Sequence, residues 1–292
     1  LKFVGVPVTD VGMNALSTLK GLTKLDLSAT KLSDQHLKVL STLKNLVELD
    51  LSHNGLTDAA MKEVVALPRL EALSLADTSV TDTGLKTIAF CKGLRKLDLT
   101  RTKVGDEGVK ELASLEELRQ LSLESTGVTA AGVKELASLK NLNALDLTST
   151  KVGDDGVKAL AMHANLEKLK LVQTELTDMG LKELASLQNL TDLDLQFNKV
   201  TDAGLSELAS LKKLTKLNLG FTKITDDGAK PLAALVNLTE LSVATTSISD
   251  AGLKELAALK NLTKLDLAAL RKITDAGVLE FQKEVPNCVI NR

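Results

Sequence analysis

The chain has no Trp and no Tyr, only five Phe, four Pro and two Cys among 292 residues. So few aromatics leave the burial of apolar surface to aliphatic side chains. Two cysteines, Cys91 and Cys288, are too few for a disulfide framework and stand in no CxxC or Cys/His spacing that would hold a metal. Each reads as a buried free thiol. No stretch reaches the roughly 18 uninterrupted apolar residues of a membrane span, and no charged-then-apolar leader opens the chain. A large excess of either charge is missing too. Net charge is −2, which gives no general attraction to nucleic acid or acidic lipid. The chain opens on Leu1 rather than Met, so more sequence is expected before it, and secreted, cell-surface and cytoplasmic settings all stay open.

What the chain does have is a repeat. LxxLxL begins at Leu22 and recurs in steps of 24 to Leu262, eleven copies in all, and Leu1 and Phe3 fall in phase with a twelfth. A unit such as LTDLDLQFNKVTDAGLSELASL changes period part-way. Its first leucines alternate with polar residues, as in a half-buried strand. Leu205, Leu208 and Ala209 then follow the i, i+3, i+4 stripe of a short helix. Thr201 and Asp202 mark the helix start, since either side chain can cap free N–H groups and a carboxylate suits the positive end of the dipole. The recurring Gly two residues later is expected to allow close helix packing. Neither half of a unit can bury its apolar face alone, so copies must stack. Strands pair at ~4.8 Å while helices need about 8–10 Å, which bends the stack into a horseshoe with helices outside.

The pattern LxxLxLxxTxVTDxGLxxLAxL resembles the leucine-rich repeat, and its TDxGLxxLA half is similar to repeats of many bacterial proteins and of the substrate-binding part of F-box proteins. The resemblance implies an α/β solenoid, a right-handed β-α superhelix with a concave parallel sheet and short convex helices. It also implies a ligand-binding surface, usually for protein, without catalysis or cofactor. One solenoid is expected over 1–292: a partial repeat at 1–21, regular repeats at 22–277 and a C-terminal cap at 278–292 with Cys288 buried. Three departures stand out. Asn follows the strand only at Asn54 and Asn198 and is mostly replaced by Thr, whose hydroxyl reaches less far than an amide. Pro231 inside a helix is expected to shorten or distort it. The strand edge at Leu1–Val8 is expected to lie open, a route to self-association.

With the leucines turned inward, function is expected among the residues facing the concave side. Asp26, Asp50, Asp98, Asp146, Asp194 and Asp266 form a mostly acidic ladder, but lysines in the next column argue against a metal site. Ser52, His53 and Asp77 suggest a hydrolase, yet nothing supplies an oxyanion hole or a pocket. Asp77 with Arg101 reads as a surface ion pair. His36, on a helix, and His163 and Cys91, at repeat Leu positions, read as structural substitutions. Asn189, Asn237 and Asn261 open NLT sequons that a eukaryotic secretory pathway could glycosylate.

The sharpest candidate is a grid of Lys170, Val172, Gln173, Asp194, Gln196, Phe197, Asn218 and Phe221. Two adjacent rings rimmed by amides and charges resemble a binding hot spot. The alternative is that the rings fold back over core leucines. The expected function is a non-catalytic module binding a protein or peptide; a self-associating structural repeat and a carbohydrate-binding surface are the alternatives.

Overall fold

A computed structural model describes all residues, 1–292. It divides into two compact units, Leu1–Asp146 and Leu147–Arg292. The first unit carries strands Lys24–Asp26 (β1), Glu48–Asp50 (β2), Ala72–Ser74 (β3), Lys96–Asp98 (β4), Gln120–Ser122 (β5) and Ala144–Asp146 (β6). The second carries Lys168–Lys170 (β7), Asp192–Asp194 (β8), Lys216–Asn218 (β9), Glu240–Ser242 (β10), Lys264–Asp266 (β11) and Val289–Asn291 (β12). Within each unit consecutive strands pair in parallel, and leucine meets leucine, as Leu25↔Leu49 and Leu193↔Leu217 do. Each strand is three residues long; β1 to β11 each bury a central leucine and leave the two flanking residues partly or fully exposed, while β12 has Ile290 at its centre.

After each strand the chain crosses to a short helix. In the second unit most of these are seven-residue α-helices, such as Asp178–Leu184, Asp202–Leu208 and Asp250–Leu256. Thr201 caps its own helix, its Oγ1 accepting from the Ala203 N–H at 3.3 Å. Asp202 does something the sequence did not suggest. Its carboxylate reaches into the next repeat and accepts from the Thr225 N–H at 2.8 Å and the Thr225 hydroxyl at 2.6 Å. Asp34, Asp58, Asp106, Asp154, Asp178, Asp226 and Asp250 make the same two-pronged link. Thr and Asp in the TD pair therefore have separate tasks, one within a repeat and one between repeats.

That link explains the glycine. A Cβ on Gly228 would stand 2.4 Å from Asp202 Oδ1, and one on Gly204 2.5 Å from Asp178 Oδ1. Where the glycine is absent, as at His36 and Ala60, the helix opens as a 3-10 segment, Asp34–Thr42 or Asp58–Ala60. At His36 the ring stands in for the missing link: Nδ1 accepts from the Ser33 N–H at 3.0 Å, with Nε2 3.7 Å from Asp10.

The Asn and Thr columns also divide as their reach dictates. Thr222 Oγ1 donates only to the Leu219 carbonyl in its own repeat, at 2.6 Å. Asn198 spans two repeats. Its Nδ2 donates to Leu171 at 2.6 Å and Leu195 at 3.0 Å, and its Oδ1 accepts from the N–H groups of Thr174 and Leu176. Asn54 repeats this set on Leu27, Leu51, Thr30 and Leu32. Because one oxygen holds two N–H groups two residues apart, the residue between them is forced left-handed: Lys31 has φ 60 and Glu175 φ 65.

The helix containing Pro231 departs from expectation. Asp226–Leu232 keeps seven residues, as its neighbours do. So short a helix loses only the bond Pro231 cannot donate, while Ala229 and Leu232 stay buried and hold it in place. At the start of the chain the N–H groups of Phe3, Gly5 and Val8 pair with Asp26, Ser28 and Thr30 along β1. At the end, Asp275–Glu284 forms a ten-residue helix, β12 pairs with β11, and Phe281, Val285 and Cys288 are buried between them and the preceding repeat.

Candidate functional site

The solvent side of each strand ends in a tight turn, and the turn chemistry decides which side chains are available. Asp194 Oδ1 accepts the N–H of Gln196 at 3.1 Å, and Asn218 Oδ1 that of Gly220 at 3.1 Å. Asp26, Asp50, Asp98 and Asp266 do the same two residues ahead. The acidic ladder is thus a row of Asx turns: Asp and Asn recur because a short side-chain acceptor must close the turn. No group of three or more His, Cys, Asp or Glu side chains is arranged to hold a metal ion.

One residue past each brace the backbone enters the left-handed region. This happens at Ala29, His53, Asp77, Arg101 and Ser125 in the first unit, and at Ser149, Gln173, Phe197, Phe221, Thr245 and Ala269 in the second. Such a φ costs a non-glycine residue about 1–2 kcal/mol. It is held by the flanking bonds: the N–H of Phe197 donates to Gly220 and that of Phe221 to Ala244. Every side chain in this column is lifted out of the strand and presented to solvent at the turn. Phe197 and Phe221 are each 48% exposed. Their rings stack with centroids 4.1 Å apart and planes inclined by 18°. They pack on each other rather than folding over the core leucines.

The other grid residues surround the pair unequally. Gln173 is exposed in the same column, while Val172 and Gln196 are half-buried. Asp194 and Asn218 are joined by a 3.4 Å hydrogen bond and spend their remaining capacity on the turns. Burial raises the Asp194 carboxyl above its ordinary value, against the lowering effects of the Gln196 N–H, the Lys170 charge and the Asn218 amide. Lys170, exposed on β7, therefore contributes its charge to Asp194.

Next to the grid lies a depression of about 230 Å³ that sequence reasoning left out. Asp192, Asp194, Lys216, Asn218, Glu240, Ser242, Lys264 and Asp266 line it. Lys216 and Glu240 close to 2.5 Å. That hydrogen-bonded pair raises the lysine and lowers the glutamate. The signal was present in the register, since Asp192, Lys216, Glu240 and Lys264 alternate in sign on successive strands.

The remaining candidates separate cleanly. Ser52 donates its hydroxyl to Asp50 at 2.6 Å, while His53 Nδ1 stands 3.0 Å from Asp77. Arg101 approaches the same Asp77 oxygen at 3.6 Å. The serine and histidine are thus committed to different carboxylates. Cys91 and His163 are both buried at leucine positions, and burial pushes the Cys91 thiol up to about 11. Asn189, Asn237 and Asn261 each donate Nδ2 to a carbonyl of the preceding repeat, those of Ala164, Lys212 and Val236. A glycan would have to take that same nitrogen, so the asparagines already have a structural use.

The chain belongs to the leucine-rich repeat family: the leucine-rich repeat region profile matches residues 49–230. No curated protein is matched significantly. Among solved structures, an internalin, InlF of Listeria monocytogenes, is similar over 97% of this chain and 93% of its own, at 22% identity and a TM-score of 0.61. The plant peptide hormone receptor RGFR1, in complex with RGF2, is similar over 94% of this chain and 44% of its own, at 19% identity and a TM-score of 0.56. At such identity these likenesses show the fold, an α/β leucine-rich-repeat solenoid. No helix is long and apolar enough to cross a membrane.

Proposed function

We propose that the chain is a non-catalytic binding module that takes a protein or peptide on the solvent face of its strands. The contact centres on Phe197 and Phe221 and extends over Lys170, Val172, Gln173, Asp194, Gln196 and Asn218. The observation that carries this reading is the stacked, half-exposed ring pair held at strained turns. Nothing in the repeat calls for an aromatic there, because Ala, Ser, Thr, Asp and Arg fill the same position elsewhere. Exposed rings beside a polar depression fit the apolar centre and polar rim of an interface. The plant receptor was captured with RGF2, so the fold has room for such an occupant.

The test is selection of peptides from a displayed random dodecamer library on the intact chain, followed by titration against F197S/F221S. The double variant is expected to weaken the selected peptides by about tenfold or more, the scale of losing a hot spot. Its unfolding free energy should stay within about 1 kcal/mol of wild type, because the rings lie outside the core. Unchanged affinity would remove the rings from the site.

A further inference from the structure

Charges on the strand face of the second unit are internally balanced. Lys216 is paired with Glu240, Asp266 accepts from Asn291 and Ser242, and both oxygens of Asp194 are engaged. Asp192 lies between Lys168 and Lys216 in register. The carboxylates of Glu240, Asp194 and Asp266 are thus engaged within the unit. The imbalance lies on the other side of the rings.

Two residues beyond each ring stands a lysine, Lys199 after Phe197 and Lys223 after Phe221. The residues between, Asn198 and Thr222, are buried, while ring and lysine are both exposed. Both lysines are exposed, and neither makes an ion pair. Glu175 occupies the same column one repeat earlier, but its backbone is turned left-handed by Asn198 and it does not pair with Lys199. Adjacent repeats lie ~4.8 Å apart, so two like charges stand side by side, an arrangement that disfavours folding slightly. Lysine recurs in this column at Lys31, Lys103 and Lys151, but there its neighbours are Gly55, Ser79, Gly127 and Glu175, so only Lys199 and Lys223 stand on adjacent repeats.

Resting on the binding role proposed above, we infer that the partner is an extended acidic segment, an apolar or aromatic residue followed two residues on by Asp or Glu. In an extended chain residues i and i+2 share a face and lie about 6.5–7 Å apart. Each ring and its lysine are likewise separated by a single buried residue. The apolar side chain covers the exposed faces of Phe197 and Phe221, and the carboxylate sits between the Lys199 and Lys223 ammonium groups, relieving their repulsion.

The dodecamer library selected on the intact chain decides this. Enriched peptides are expected to share an apolar or aromatic residue with Asp or Glu at i+2, and to lose affinity as salt rises from about 0.05 to 0.5 M. K199E/K223E is expected to weaken them by about tenfold, the effect of reversing two exposed pairs. Circular dichroism of that variant should match wild type, because both side chains are in solvent. Peptides that need the rings but are neutral or basic, or that ignore K199E/K223E, overturn the acidic partner and leave the ring site standing. Peptides indifferent to F197S/F221S overturn both, as does a library that yields no enrichment.

Discussion

The two units present the same column of turn residues with different chemistry. In the first, His53, Asp77 and Arg101 occupy successive turns, and His53 and Arg101 both approach the Asp77 carboxylate. In the second, Gln173, Phe197, Phe221 and Thr245 occupy the equivalent turns, and two of them offer bare ring faces. Backbone and register are the same in both places: each residue is left-handed at φ between 54 and 56. The frame therefore holds a turn side chain outward whatever its nature, and the chemistry of the column is free to vary. A row that satisfies itself has little left to offer a partner, whereas a stacked aromatic pair in water still has apolar area to lose.

If the frames are equivalent, their shared supports should be worth the same. Asn54 and Asn198 make matching bonds across two repeats, and N54T or N198T would keep the bond to the local carbonyl while stranding the preceding repeat's groups. Each is expected to cost about 2–3 kcal/mol by urea denaturation, the penalty for buried groups left unpaired. The two losses should agree within about 0.5 kcal/mol. Unequal losses would break the comparison at its base.

A smaller effect is expected from exchanging the column's chemistry. F197H/F221D writes the His53–Asp77 pair of the first unit into the second. Stability should change by less than about 1 kcal/mol, since exposed pairs contribute little, while peptides selected on wild type should no longer bind. Retained binding would mean that the turn position matters rather than the rings.

The smallest concerns Asp194, whose carboxyl burial raises. A raised carboxyl favours the protonated form in the fold, so the ionised side chain opposes folding at neutral pH and stops doing so as pH falls through the folded value. Asn218 shows that an amide oxygen closes the same turn. D194N should accordingly raise the urea midpoint modestly at pH 7 and lose that advantage near about pH 3.5. A gain independent of pH would point to some cause other than charge burial.

Much of the fold was legible because a 24-residue period, repeated without a slip, leaves one way to stack its leucines. The limited reach of Thr beside Asn was legible as well, from side-chain length alone. Asp202 was not. Its own helix offered a sufficient explanation, and its real partner, Thr225, lies 23 residues on. The undistorted helix at Pro231 escaped for a similar reason, since its neighbours hold it more firmly than its own hydrogen bonds.

For the site, the sequence placed Phe197 and Phe221 in one column but could not say whether they turned inward or outward. That depended on the left-handed turn, which alternation along a strand does not encode. It is set by hydrogen bonds from the Asp194 and Asn218 side chains and from the neighbouring repeat. The sequence by itself determined the repeat, the buried leucines and the order of the strands, because these follow from local period and the need to bury apolar surface. Only the tertiary structure decided which polar side chains are consumed in joining repeats and which stand free, because each of those choices is made by a partner roughly one repeat away.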